Sequence, residues 1–255
     1  EGLQARAVLE ALHRRRPALQ AVFTHFSPSA EGFAARMGAA WAAYLPWDLP
    51  EEMGPALDAV APAVVAFTKT EVWPVLVEEA ARRRIAVALV GGSVPPGARR
   101  ARWPGRVLLR PTWSRLSLAC AIAEADAEGL RSLGVSAEAV RVTGDPGVDS
   151  AAERARGADP GSSWLAPFHA ERRATVVAGS TWPSDVRVLL PALDAARRRE
   201  PGLRAAIAPH EPHPEVVRAL LEELARRGWR AASLTDVEGR GAVGTGEAAT
   251  LVDLP

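Results

Sequence analysis

Cysteine and lysine are almost missing from this sequence: Cys120 and Lys69 are the single example of each. One cysteine closes no disulfide within the chain, so no disulfide framework holds the fold. Cys120 sits in the apolar run 118–123 and reads as a buried, inert thiol rather than a nucleophile. With lysine nearly absent, arginine supplies the basic charge, a pattern that fits GC-rich coding better than any ligand. No excess of either sign exists: 31 basic residues stand against 30 acidic ones, for a net charge of +1. That balance calls for no nucleic-acid partner, and none is expected. Long apolar runs are missing too. None approaches the roughly 20 residues needed to span a bilayer, and no signal-peptide pattern is visible. The chain opens on Glu1-Gly2 and stops on the strand-like Thr250–Pro255. It therefore reads as a piece of a longer protein, and the missing anchor concerns this piece alone. What is present is ordinary globular composition, 48% hydrophobic and 24% charged. A chain of 255 residues with that composition buries one large core or two modest ones and is not disordered.

The dominant rhythm is a helix followed by a short apolar strand. Residues 2–15 carry Leu3, Ala7, Leu9 and Leu12 at near-helical spacing, with Arg14–Arg16 where the helix dipole favours cations and Pro17 as the stop. Strands are expected at 19–23, 40–45, 64–67, 85–90 and 140–143, the 64–67 run being of the kind buried on both faces. Helices are expected at 30–38, from Pro50, at 73–84 and at 124–133. Residues 145–167, rich in Gly, Pro, Ser and Asp, read as a linker. The rhythm then restarts, with strands at 175–178, 203–208 and 229–232 and helices at 184–199 and 214–227. Alternation of this kind implies parallel sheets with right-handed crossovers. The fold class is therefore α/β, with two doubly wound Rossmann-type domains: 1–149, a linker 150–170, and an incomplete second domain 171–255. Ligands of such folds bind at the carboxyl ends of the strands, here expected in a cleft between the domains.

Four strand ends carry polar residues suited to chemistry. Thr24, Ser27 and Ser29 follow the first strand, with Ser29 as the expected N-cap of the next helix. Lys69, Thr70 and Glu71 follow a buried strand, where two charges either pair or face a ligand. Gly179, Ser180 and Thr181 are expected at a helix start that receives a phosphate, although the Gly-Lys of a Walker loop is missing. His210 and His213 lie in a Pro-rich turn. A metal site is not expected there, because no third ligand group is near in sequence, and contact with a phosphate or capping of the next helix is the better reading.

In this order and spacing, the segments resemble the Kdo (3-deoxy-D-manno-octulosonic acid) transferases. Thr70-Glu71-Val72-Trp73-Pro74 matches the family's Thr-Glu-x-Trp-Pro, and Ala178-Gly179-Ser180-Thr181 is identical to its Ala-Gly-Ser-Thr. Tyr44-Leu45-Pro46-Trp47-Asp48, Val142-Thr143-Gly144-Asp145, the Ser27-Pro28-Ser29 turn and Pro209–Glu215 are similar to further family elements, and Glu1 occupies the position of an early Gly-Glu. The resemblance implies a GT-B-like fold and an inverting, metal-independent glycosyltransferase without a cofactor. Its partners would be CMP-Kdo as donor and a lipid A precursor as acceptor, met at the cytoplasmic face of the inner membrane by a peripheral protein or one anchored by a segment outside these residues. It further implies Glu1 as general base with Glu71 beside it. Thr24, Ser27, Ser29, Lys69 and Thr70 would lie toward acceptor or sugar, and Gly179, Ser180, Thr181, His210 and His213 toward the donor nucleotide. The sequence departs from the family at Gly91–Pro95, at Asp145–Asp149 and at His210, losing cationic residues. Two alternatives follow from those losses: a GT-B enzyme using another nucleotide sugar, and a relative that binds without turnover. The basic, aromatic segment 95–103 is either a lipid contact or a solvated loop.

Overall fold

Proline opens five of the helices at their first position, where its missing N–H has no partner to lose and its fixed φ suits the helix. The computed structural model describes residues 2–95, 97–162, 165, 168, 173–239 and 249–251. They fall into two compact units, Glu1–Gly157 and Ala158–Pro255.

In the first unit the order is α1 (Gly2–Arg15), β1 (Val22–His25), α2 (Glu31–Ala34), β2 (Trp41–Tyr44), α3 (Pro50–Val60), β3 (Val64–Thr68), α4 (Pro74–Arg82), β4 (Ala86–Gly92), α5 (Gly105–Trp113), β5 (Leu118–Ala121), α6 (Glu124–Ser132), β6 (Val140–Val142) and α7 (Pro146–Gly157). Strands β3-β4-β5-β6 form one parallel sheet, and among the described residues β1 pairs, in parallel, only with β2. Met53, Leu57, Leu76, Val77, Leu89 and Leu130 are among the core residues that bury the helices against the larger sheet. Arg83 ties α4 to α3: it donates to both carboxylate oxygens of Asp58, at 2.7 and 2.9 Å, and to Glu79. The hydrogen bonds from Arg83 hold the Asp58 carboxyl below the usual carboxylate range.

The second unit comprises β7 (Thr175–Thr181), α8 (Pro183–Arg199), β8 (Arg204–Pro209), α9 (Pro214–Arg226), β9 (Ala231–Ser233), α10 (Leu234–Gly239) and β10 (Ala249–Leu251), with a parallel sheet in the order β7-β8-β10-β9. Leu190, Leu193, Ile207, Leu220 and Leu224 lie in its core. Asp194 accepts from Trp229 Nε1 at 2.7 Å and from Arg227 at 2.8 Å, joining α8 to the end of α9.

Several elements differ from the sequence expectation, each for a local reason. The first strand begins at Val22, because Leu19 N–H closes a turn onto the Arg16 carbonyl and delays the extended run. The helix expected over 30–38 is a 3₁₀ turn, Pro28–Ala30, followed by the single turn of α2. Ala30, not Ser29, occupies the cap position, and Gly38 at φ 72° marks the following turn. Half of the expected linker is α7. Pro146 and Gly147 read as turn formers, but Asp145 accepts from Gly147 N–H at 2.7 Å and caps the helix. The same carboxylate accepts from Gln4 Nε2 at 2.9 Å, which fastens α7 to α1. Helices α5 and α10 are not among the expected elements, although α5 is amphipathic, with Trp113 buried and Val107 and Leu108 exposed. Strand β3 is not buried on both faces: Val64 is 54% exposed.

Buried Asp126 in α6 accepts from Val94 N–H at 2.8 Å and from Ser93 Oγ at 3.1 Å, drawing the loop after β4 onto the helix. The approach is so close that a Cβ at Gly129 would lie 2.2 Å from the Val94 carbonyl oxygen. Gly129→Ala should therefore destabilise the first unit by about 1–3 kcal/mol through overpacking, although alanine is the better helix former by roughly 1 kcal/mol. Urea unfolding checks this, and an unchanged or higher midpoint would contradict the contact.

Candidate functional site

Two of the four polar strand ends, those after β1 and β3, come together in the first unit with the end of β2. Asp48, just after β2, sends its carboxylate to the start of α4, where it accepts from Val75 N–H at 3.0 Å and Leu76 N–H at 2.9 Å. These are backbone donors that a helix N-terminus leaves without a partner, and the negative charge suits that end of the dipole. The segments 44–48 and 70–76 are thereby locked to each other. Phe26, the residue after β1, packs edge-on against Trp47 at 5.2 Å between ring centroids and against Trp73 at 5.3 Å. His25 lies against Tyr44 at 4.4 Å, and its Nδ1 is 3.1 Å from the Ser27 carbonyl oxygen. The ends of β1, β2 and β3 are thus one cluster.

That cluster rims a cavity of about 840 Å³. Thr24 and Ser27 line it, as do Glu71 and Trp73; Gly2 and Leu3 of α1 line it from another side. Lys69 and Thr70 are not among its lining residues. Lys69 takes the left-handed backbone at φ 61° and its N–H donates to the Val90 carbonyl at 2.9 Å. The Thr70 carbonyl accepts from Arg100 at 3.0 Å. Among the described residues no ion pair joins Lys69 to Glu71, the pairing that sequence left open. Glu1 lies outside the described residues, and so does the Ser29 side chain. His25 and Phe26 are contributors that sequence reasoning did not single out, and Asp48 stood there only as the last residue of the Tyr44–Asp48 motif, with no role assigned. Their signal was their place at or just after a strand end.

In the second unit the expected phosphate turn has a different build. Ser180 and Thr181 belong to β7, and α8 starts only at Pro183 behind Trp182. The β7–β8 register shifts between Gly179 and Thr181, leaving Ser180 bulged with φ 57°, a conformation that costs a non-glycine residue about 1 kcal/mol or more. The strain aims the Ser180 hydroxyl at His210, and Oγ and Nδ1 share a hydrogen bond at 2.6 Å. Trp182 stacks on the same imidazole, with centroids 4.2 Å apart and planes 26° from parallel. Thr181 turns inward; it is buried and donates to the Ala208 carbonyl at 3.4 Å. Gly179 stands open, with nothing within 4 Å of where a Cβ would be. His213 occupies the cap position of α9 but makes no side-chain cap bond, contrary to the capping role considered for it. Asp185 already accepts from Trp182 N–H at 2.8 Å, so an acid stands in the first turn of α8 where a phosphate was expected. Among the described residues no group of three or more His, Cys, Asp or Glu side chains is placed to hold a metal ion. Burial pushes the half-buried Cys120 thiol upward, which keeps it protonated and unreactive.

Parallel strands, helical crossovers and polar turns at the strand ends define an α/β protein of the GT-B-like class. Three solved structures are similar to it in fold. UDP-GlcNAc 2-epimerase from Neisseria meningitidis covers all of this chain and 69% of its own at a TM-score of 0.66 and 13% identity. S. aureus MnaA with UDP covers 100% and 66% at 0.65 and 12%. A glycosyltransferase from Rickettsia africae covers 98% and 64% at 0.53 and 7%. Within that class the chain belongs to the 3-deoxy-D-manno-octulosonic-acid transferase (kdotransferase) family, whose profile matches residues 1–150. A 3-deoxy-D-manno-octulosonic acid transferase of Haemophilus influenzae is 27% identical over 218 residues, covering 83% of this chain and 50% of that protein. The chain thus spans about half the length of this relative.

Ser180 offers a direct test of functional strain. Ser180→Gly removes a strained side chain and should leave the second unit as stable or more stable, by up to about 1 kcal/mol. If this turn receives the donor nucleotide, as the resemblance implies, the variant should also weaken nucleotide binding, because His210 loses its partner. Thermal melts and titration with nucleotide, both on the full-length protein, separate the two effects; a less stable variant with unchanged binding would refute the assignment.

Proposed function

We propose that the chain forms the acceptor side and the beginning of the donor side of an inverting, metal-independent transferase that moves Kdo from CMP-Kdo to a lipid A precursor. The observation that supports this best is the convergence of the ends of β1, β2 and β3, fastened by the Asp48 cap, since it gathers the Ser27–Ser29, Tyr44–Asp48 and Thr70–Pro74 segments that resemble the family. In this reading the acceptor hydroxyl lies at the rim formed by Ser27, Thr24 and Glu71, with Lys69 and Thr70 on the adjoining loop. Glu1, next to the cavity-lining Gly2, takes the proton as the hydroxyl oxygen attacks the anomeric carbon. The bond to CMP breaks on the opposite face, which inverts the configuration. Charge developing on the departing phosphate is met by the Ser180 hydroxyl and by the His210 ring, with the open backbone at Gly179 giving access. His213 adds a second imidazole to that side. The pair Ser180–His210 takes over from the helix terminus that Asp185 occupies, and from the arginine that the family carries in this turn.

CMP release from CMP-Kdo by the full-length protein, with a lipid A-type acceptor, is the direct assay. Glu1→Ala should reduce kcat by about 10²–10⁴-fold, the range of general-base catalysis, with KM for the donor little changed. Release from UDP- or GDP-sugars in preference to CMP-Kdo would favour the other nucleotide-sugar reading, and activity unaffected by Glu1→Ala would remove the base.

A lipid acceptor brings the protein to a membrane surface, and the first unit carries a face suited to one. Trp103 is 82% exposed and Leu108 73%, with exposed Val107 beside them. Arg99, Arg102 and Arg106 are interspersed, and none of them forms an ion pair among the described residues. Among those residues no helix is long and apolar enough to cross a membrane. Contact at the surface of the inner membrane's cytoplasmic leaflet would use both the apolar side chains and roughly 1 kcal/mol per arginine near anionic lipid. Trp103→Ala with Leu108→Asp should weaken sedimentation with phosphatidylglycerol-containing vesicles by about tenfold or more, and added salt should weaken it further. Binding that ignores both changes would discard this face.

A further inference from the structure

Four arginines stand close together in sequence, at positions 99, 100, 102 and 106, and one of them is placed differently from the rest. Arg99, Arg102 and Arg106 are exposed, whereas Arg100 is half-buried. It sits in a single 3₁₀ turn, Arg99–Ala101, and Ala98 and Ala101 at the two sides of it pack on the core of the first unit. Its guanidinium turns away from the basic face and donates to the Thr70 carbonyl at 3.0 Å, the one hydrogen bond it makes among the described residues. The turn is also pressed against α5, since a Cβ at Gly105 would lie 3.2 Å from the carbonyl oxygens of both Arg99 and Arg100. The segment carrying Arg100 and the helix carrying Val107 and Leu108 are therefore one packed piece.

The loop at the other end of that hydrogen bond has few supports. Lys69 enters it in the left-handed region, at φ 61°, a conformation that persists only where the surroundings hold it. Its N–H is held by the Val90 carbonyl at 2.9 Å. At the far end Trp73 packs on Phe26, and α4 is fixed by Asp48. Between these two anchors Thr70 and Glu71 belong to no helix or strand. Among the described residues Arg100 makes the one hydrogen bond to this pair, and the Glu71 carboxylate has neither a hydrogen-bond partner nor an ion-pair partner. The place of Glu71 thus follows from the backbone at Thr70, and that backbone is held by Arg100.

We propose that Arg100 is a positioning residue through which contact of the Trp103–Leu108 face with an anionic lipid surface orders the loop of Glu71. The inference rests on the functional reading above, in which Glu71 lies toward the acceptor and this face meets a leaflet. Arginines 99, 102 and 106 carry charge that an anionic surface complements, and Trp103, Val107 and Leu108 carry the apolar area. Seating those side chains restrains the 3₁₀ turn and α5 together. The Arg100 guanidinium passes the restraint to the Thr70 carbonyl, and the ordering of Thr70 and Glu71 is then complete before an acceptor arrives. An acceptor drawn from the same leaflet meets a loop that needs no further fixing, so reaction is favoured at the surface where that acceptor resides.

Hydrogen exchange of the full-length protein, with and without phosphatidylglycerol-containing vesicles, tests the coupling. The amides of Thr70 to Val72 should gain protection by about tenfold when vesicles are added, while those of β5 change little. Arg100→Ala should still sediment with the vesicles, because Trp103, Leu108 and three arginines remain, but its loop should gain no protection. Arg100→Lys, which keeps a donor and the charge, should restore much of the gain. In CMP release with a vesicle-borne acceptor, Arg100→Ala should lower kcat by about tenfold or more with KM for CMP-Kdo little changed, and Arg100→Lys should recover most of it. No vesicle-dependent protection in the wild type would overturn the proposal. So would equal protection in Arg100→Ala, which would mean that the loop touches lipid directly, or an unchanged kcat in that variant. The exchange readout involves neither donor nor acceptor, so absence of CMP release from the wild type, with the loop response and its loss in Arg100→Ala intact, would count against the transferase reading and leave the coupling standing.

Discussion

The carboxylate of Asp48 holds the first unit's working end together. A helix start is a poor place to leave backbone donors bare, and a side chain 27 residues upstream supplies the acceptor for α4. Because Asp48 follows β2 and α4 follows β3, one pair of hydrogen bonds sets the distance between two strand ends that are not neighbours in a sheet. The Phe26, Trp47 and Trp73 rings then bring in the third, β1. A polar contact supplies register here and aromatic packing supplies rigidity, so the loop carrying Glu71 is pre-positioned.

The second unit solves a related problem by strain. Its bulge at Ser180 puts a serine into a backbone region that glycine prefers, and the return is a short hydrogen bond to an imidazole already stacked on Trp182. The turn thus presents a ring held at one nitrogen by Ser180 and on one face by Trp182.

Much of this was legible in the sequence because strong local signals agreed. Proline at helix starts and short apolar runs placed α3, α4, α8 and α9 to within a residue or two. The α/β class followed from alternation. Illegible were the features decided at long range. Asp145 looks like a turn residue until Gln4, 141 positions away, is found donating to it. Ser180 and Thr181 are indistinguishable in sequence, yet a one-residue register shift sends one outward and the other into the interior. Asp48 was visible as part of a motif, but its partner was not, since nothing local says which helix a carboxylate will cap. The burial of β3 was misjudged for the same reason: residue type reports what a strand is built to be covered by, not what covers it.

The clasp between α1 and α7 also constrains synthesis. Helix α1 packs most extensively on α7, so Gln4 Nε2 waits for Asp145 to leave the ribosome before it finds its acceptor. Until then α1 is an amphipathic helix with its inner face uncovered, while β3 to β6 assemble from nearer neighbours. Docking of α7 on α1 is therefore a late step of folding on the ribosome, and a nascent chain halted before residue 145 leaves that face of α1 open to chaperones.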